Sequence, residues 1–370
     1  MKIFASSWLP TAAVAGLLIA ASSAAASPLP LPTPVAEVLR VAASDHLSVV
    51  AIQLPFEGSQ HNPQIVEAPR HGVVELQPGL AIWHRNEEGY IGRDSWTFFS
   101  NGALLRVELR ILPRHMPFAG RFDGAYRAAA LWDNKLRTFL LCGEPAEEQE
   151  EMTCERVPVS GLGAGAFIPV VWPARFGQEL PALFDPPTGR LLSLVRSGPT
   201  FEASWDVETP AFPGGWPVLG DFFGDGQPEL AMVDENGGIF FSSGKKWLRW
   251  PDSLQVPEGD GLVWPIVWPG TGGDVLALSD PAGFVRWRRF PPAGVENGTL
   301  RLPGNFDRRP LGWNRWNPSG SWPYREIYFL EFEDGDLMLK RGRFSGMDWQ
   351  PSTIPVKFPD DPPGGGGGGG

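Results

Sequence analysis

The sequence predicts an all-β protein, with a small β-sandwich followed by a β-propeller of about five four-stranded blades. Three observations lead there. The chain has 39 Pro and 45 Gly among 370 residues, and they interrupt almost every window long enough for a helix. Short apolar runs alternate with polar positions at period two, the spacing of a strand with one face in a core. Beyond residue 113 a unit recurs with a period near 50 residues, which fits one propeller blade per repeat.

The first segment sets the compartment. Lys2 gives a short positive start, Thr11 to Ala21 is an apolar run, and Ala24-Ala25-Ala26 is a small-residue cleavage pattern. This reads as a signal peptide cut after Ala26, because the run is too short to span a bilayer. Export predicts a secreted, periplasmic or cell-surface protein. Removing Lys2 from 31 basic residues leaves 30 against 42 acidic, a net charge of −12. That balance argues against nucleic acid, whose phosphates need clustered Lys and Arg. No second apolar stretch approaches spanning length, so no integral membrane segment is expected after cleavage. Residues 27–43 open as SPLPLPTP and read as a Pro-rich linker. Within them Val35 to Ala43 is the one stretch that could wind for two helical turns.

Residues 44–113 carry strand patterns at both ends. Leu47, Val49 and Ala51 alternate near the start. Near the end Leu105, Val107, Leu109 and Ile111 interleave with Arg106, Glu108 and Arg110, giving a core face and a water face. Between them run APRHGVV from Ala68, AIWHRN from Ala81, GYIGRDSWTFF from Gly89, and the Asn101-Gly102 pair. This series resembles the cadherin-like, immunoglobulin-type domains of bacterial surface proteins, with Trp83 and Trp96 where that family usually has Tyr and Phe. His71 and Asp94 are expected to serve turns, with Asp94 capping the one before Trp96 and Phe98. The five histidines, 46, 61, 71, 84 and 115, show no metal-ligand spacing.

The repeats occupy residues 114–357. The clearest is GDFFGDGQPELAMVD over 220–234, followed by a Gly-rich turn and the strand from Ile239. Fainter copies end on the acids Asp133, Asp185, Asp280 and Glu331, so with Asp234 the anchors step by 52, 49, 46 and 51 residues. Trp-Pro pairs at 172–173, 216–217, 264–265 and 268–269 stand at blade entrances, where Pro at a strand end is tolerated. Cys142 and Cys154 flank a polar hairpin tip, and in an oxidising compartment they are expected to form a disulfide.

These units resemble FG-GAP/VCBS repeats, the propeller blades of integrin heads and of many secreted bacterial proteins. The resemblance implies a calcium loop with oxygen ligands at alternate positions. Mapped onto this chain, Asp221, Asp225 and Glu229 match and Gln227 would offer a backbone carbonyl. Phe223 replaces an oxygen ligand, so the site is weakened. No cofactor is required by the sequence, and calcium is the one it can accommodate.

The fifth unit is longer, with about 13 residues inserted between Phe306 and Glu331. The insert includes Trp313, Arg315, Trp316 and Trp322. Rings beside guanidinium groups suit sugar or peptide recognition, although the same rings would also serve as a plug between the last and first blades. Residues 358–370, FPDDPPGGGGGGG, read as a disordered tail. No nucleophile elbow, zinc-protease or P-loop motif appears. The expectation is a non-enzymatic binding or adhesion module with an extracellular protein or glycan partner. The alternatives are a carbohydrate-binding propeller lectin and, on fold analogy alone, a propeller-scaffold hydrolase.

Overall fold

A computed structural model describes residues 35–55, 63–100, 103–120, 128–142, 154–173, 179–204, 210–243, 245–256, 264–270, 273–279, 284–290, 296–301, 311–313, 325–333, 336–345, 348–351 and 356–357. Beyond residue 300 only the backbone strands are described. The segment read as a signal peptide, the Gly-rich tail, Asp280, Arg315, Trp316 and Trp322 lie outside the described residues, as does the side chain of Trp313.

The first seven strands form two sheets over one core. One sheet has the order β1 (Val35–Ser44), β7 (Ala103–Leu112), β6 (Gly92–Ser100), β3 (Gln64–Glu67). The other has the order β2 (Val49–Gln53), β5 (Leu80–Arg85), β4 (Gly72–Gln77). Val50, Ile52, Trp83, Trp96, Phe98, Val107 and Ile111 are buried between them. The alternation from Leu105 to Ile111 thus picks out the core face, but the one read near the start is inverted: Val50 and Ile52 face the core, while Leu47, Val49 and Ala51 are exposed. Gly72 has no room for a side chain, since an added Cβ would lie 2.0 Å from the Trp83 indole nitrogen.

One expectation is corrected at the start of this module. Val35–Ser44 is strand β1, not a linker and not two helical turns. It runs parallel to β7, with Leu39 opposite Val107 and Val41 opposite Leu109. The stretch is rich in Val and Ala, and the unpaired edge of β7 supplies partners that an isolated nine-residue helix would lack. Tertiary pairing overrides the weak helical propensity.

The remaining strands fall into five successive antiparallel groups of four. They are β8 (His115–Gly120) to β11 (Cys154–Ser160), β12 (Ile168–Pro173) to β15 (Thr200–Ser204), β16 (Trp216–Gly220) to β19 (Trp247–Ser253), β20 (Trp264–Gly270) to β23 (Glu296–Arg301), and β24 (Leu311–Trp313) to β27 (Asp348–Pro351). The first and second groups are joined through a short parallel pairing of β11 with β15, and a final two-residue strand, β28 (Val356–Lys357), pairs with β26 (Asp336–Ser345). The first strands of the groups neighbour one another in cyclic order: β8 with β12, β12 with β16, β16 with β20, β20 with β24, and β24 with β8. Meanders arranged around their first strands are the organisation of a β-propeller.

Each first strand is the edge of its own sheet, which explains the prolines. Pro117, Pro169, Pro173, Pro217, Pro265 and Pro269 all lie in first strands. An edge residue has an N–H side with no ladder partner to lose. Two of the repeated acids, Asp133 and Asp234, have an equally local cause, because they cap the turn from second to third strand. Asp133 accepts from the N–H groups of Lys135 (2.8 Å) and Leu136 (3.0 Å), and Asp234 from those of Asn236 (2.8 Å) and Gly238 (2.7 Å). Asp133 is also buried against Arg114, whose Nη2 lies 2.9 Å away, and His115, at 3.3 Å. Burial pushes its carboxyl up, but hydrogen bonds from His115 and Arg114 outweigh that and hold it well below the usual range. In β10 (Thr138–Cys142) the register sets Cys142 directly opposite Cys154, and Cys154 is not a free thiol.

The sandwich and all five groups belong to one compact unit that begins at Val35. Arg110 ties them together. Its guanidinium donates to the carbonyls of Gly214 (2.5 Å) and Gly215 (3.1 Å) and lies over the Trp216 ring, 5.6 Å from its centroid.

Candidate functional site

Two sites deserve a chemical reading, one contiguous in sequence and one assembled from distant segments. The contiguous one is the loop between β16 and β17 (Glu229–Val233). Carboxylate oxygens of Asp221, Asp225 and Glu229 lie within 4.8 Å of one another. Gly224 and Gly226 bend the loop with φ of 70° and 83°, a region that favours glycine. Within it Gly226 N–H donates to Asp221 Oδ2 (3.0 Å) and Gln227 N–H to Asp225 Oδ1 (2.8 Å). Gln227 thus enters the loop through its amide. The neighbouring group braces the loop from outside: Asp221 N–H donates to Asp274 Oδ2 at 2.8 Å, and Asp274 N–H to the Asp221 carbonyl at 2.6 Å.

Asp221 Oδ1 is buried with no hydrogen-bond partner. Burial pushes Glu229 up to about 7; amide hydrogen bonds from Phe222 and Phe223 work against this, and the charges of Asp225 and Asp221 add to it. An orphaned oxygen within a cluster of three crowded carboxylates fits a hard divalent cation. Phe223 supplies no ligand. It is partly exposed and packs against Phe241, with ring centroids 5.0 Å apart. Asp221, Asp225 and Glu229 would therefore hold calcium with fewer protein oxygens than a complete loop provides.

The assembled site is a cleft of about 500 Å³ where the water face of β7 meets the propeller. Arg106, Glu108 and Arg110 line one side together with Arg40 from β1 and Arg93 from β6. Facing them are Pro186, Pro187, Phe212 and Pro213, and the turn through Asp234 and Glu235. Glu108 serves two guanidinium groups, Arg40 at 3.0 Å and Arg106 at 3.6 Å. Arg93 reaches Glu235 across the cleft at 3.6 Å. Arg110 is lowered to about 10, mainly by burial and then by the charge of Arg93.

The structure thus brings together the carboxylates proposed from sequence, while the fifth-unit aromatic set stays outside what is described, apart from the Trp313 backbone in β24. The cleft was not legible in sequence. Arg106, Glu108 and Arg110 read as the solvated face of a strand, and nothing local shows that Phe212-Pro213 comes to lie opposite. His71 and Asp94 are structural. Asp94 accepts hydrogen bonds from the N–H groups of Arg70 (2.8 Å), His71 (3.1 Å) and Ser95 (2.9 Å) and from the Trp83 indole (3.0 Å), and His71 stacks on Tyr90.

The sequence matches no family model and no curated protein. Among solved structures it is similar to AofleA from Arthrobotrys oligospora, with 9% identity, 88% of this chain and 96% of that chain covered, and a TM-score of 0.40. It is also similar to the SapL1 lectin in complex with alpha methyl fucoside, with 8% identity, 79% and 96% covered, and a TM-score of 0.36. A third is a Bacteroides uniformis protein provisionally named a 6-phosphogluconolactonase, with 12% identity, 82% and 85% covered, and a TM-score of 0.34. Likeness at this level does not decide function, which rests on the sites themselves.

Proposed function

We propose that this chain is an exported, non-enzymatic binding module: a cadherin-like sandwich fixed on a five-bladed propeller of the FG-GAP/VCBS kind, with its partner held in the cleft between them. The cleft carries the reading. A concavity of about 500 Å³ between two packed modules, with one apolar wall facing one charged wall, has the size of a ligand site and groups that can orient a ligand. The propeller would supply the rigid platform and the sandwich the charged wall. Calcium at Asp221, Asp225 and Glu229 would stiffen one blade rather than meet the partner.

The partner classes are protein and glycan. The lectin reading gains from Phe212 and the three prolines, whose flat apolar faces suit the C–H face of a sugar ring. Export is supported by the N-terminal segment and by the cross-strand placement of Cys142 and Cys154. Peptide mapping without reductant should recover these two linked; free thiols in exported protein would count against it.

Binding to glycan and protein arrays, compared between wild type and Ser95→Trp, tests the function. Ser95 lines the cleft, and an indole there would occupy it. Hits that vanish in the variant support the cleft. Hits that persist unchanged place binding elsewhere, and an absence of hits on every array removes the binding reading.

A further inference from the structure

The cleft's charge is the feature that its shape does not explain. Five arginines line it, at positions 40, 70, 93, 106 and 110, against four acids, at positions 94, 108, 234 and 235. The lining is therefore net positive in a chain whose formal charge is −11. Two of the four carboxylates are engaged elsewhere. Asp94 accepts three backbone N–H groups and an indole, and Asp234 caps its own turn through Asn236 and Gly238. That leaves Glu108, shared between two guanidinium groups, and Glu235.

Arg40 is seated on Glu108 at 3.0 Å, but the pairs made by Arg106 and Arg93 are loose. Arg106 sits 3.6 Å from Glu108 and 3.4 Å from the Ser95 hydroxyl, and Arg93 sits 3.6 Å from Glu235. A well-seated guanidinium–carboxylate bond is about 2.7–2.9 Å. The Arg106 side chain is 45% exposed at this wall, so its planar fork can be reached from the cleft. Like charges are crowded behind it, with Arg93 lowering Arg110 alongside the larger effect of burial. An incoming anion would relieve that crowding and give Arg106 the close partner that the protein itself does not supply.

We propose that the cleft binds an acidic saccharide, with a carboxylate seated on Arg106 and the sugar ring laid against the Phe212–Pro213 wall opposite. This rests on the cleft being the binding site. A carboxylate matches the guanidinium fork through two parallel hydrogen bonds, whereas a neutral sugar would leave the arginines unrelieved. The apolar wall favours a ligand with a ring face over a bare inorganic anion. Arg93 adds attraction at the far end of the cleft without being the primary contact.

Calorimetric titration with three probes tests the assignment: a uronic-acid tetrasaccharide, its methyl-esterified neutral form, and a tetraglutamate peptide. The acidic saccharide should bind, and more weakly as salt rises. Esterification and Arg106→Ala should each weaken binding at least tenfold. Arg106→Lys should restore only part of the loss, because an ammonium cannot form the paired bonds. Thermal melting of both variants controls for folding.

Equal affinity for the ester would overturn carboxylate recognition, and equal affinity for tetraglutamate would overturn the saccharide assignment. No binding of the acidic saccharide overturns the proposal outright. Ser95→Trp separates the two levels. If it abolishes binding of a neutral ligand, the cleft reading stands and the acidic one falls. If it leaves binding of the acidic saccharide intact, the cleft reading itself fails.

Discussion

The acidic loop at 221–229 and the arginine cleft are both clusters of charge, but they are built in opposite ways. The loop draws its three carboxylates from nine consecutive residues, and two glycines fold them onto one point. The cleft draws its guanidinium groups from three strands and one turn of the sandwich and its opposite wall from three turns of the propeller. Contiguous sites are written in local spacing, whereas assembled sites exist only once modules dock. The loop also carries its own stress, an orphaned oxygen and a carboxyl pushed up to about 7. The cleft spreads its stress over two loose ion pairs, Arg93–Glu235 and Arg106–Glu108.

If this contrast holds, perturbations should differ in size and in kind. The largest effect is expected beneath the cleft, at Asp94. Its carboxylate satisfies four donors inside the sandwich wall. Asp94→Ala would strand buried N–H groups and should cost on the order of 3 kcal/mol or more in chemical denaturation. A loss below about 0.5 kcal/mol would show that water replaces the carboxylate there.

A smaller effect belongs to the loop. Millimolar calcium should stabilise the wild-type protein by about 1 kcal/mol, a rise in Tm of a few degrees, and Asp225→Ala should remove the shift. The modest size follows from Phe223 standing where a ligand would be. A large shift would mean that the loop recruits oxygens beyond the three carboxylates.

The pH dependence sharpens the same point. Without a cation, Glu229 in the folded chain titrates near 7 rather than near its usual 4.5. Between these values the folded protein keeps a proton that the unfolded chain has released, so stability falls as pH rises through that window. Glu229→Gln should flatten this slope. Calcium competes with the proton, so its affinity should rise as pH climbs through about 7. A slope unchanged in the variant would assign the titration to another group.

The smallest effect on stability is expected at Arg106. Its side chain is exposed and its contacts are long, so Arg106→Ala should change stability by less than about 0.5 kcal/mol. A much larger cost would make it a structural strut rather than a ligand contact.

The sequence made the loop legible because alternate acids, glycines and a following strand lie within one short window. Strand existence was equally legible, since Leu105 to Ile111 alternate and their inward members are buried. The placement of β1 was not, because its partner β7 lies more than 60 residues away and parallel pairing leaves no local signature. The cleft failed for the same reason: Arg106 and Arg110 look solvated until Gly214 is brought against the latter. Prolines in the first strands were readable as strand-end features, but their common cause, the inner edge of each sheet, needed the topology.

Hydrogen exchange with and without an array-identified ligand tests the central claim most directly. If the cleft holds the partner, peptides covering β7 and peptides covering residues 210–216 and 234–238 should gain protection together, although they are remote in sequence. Protection confined to residues 221–229, or to segments that do not line the cleft, would contradict it.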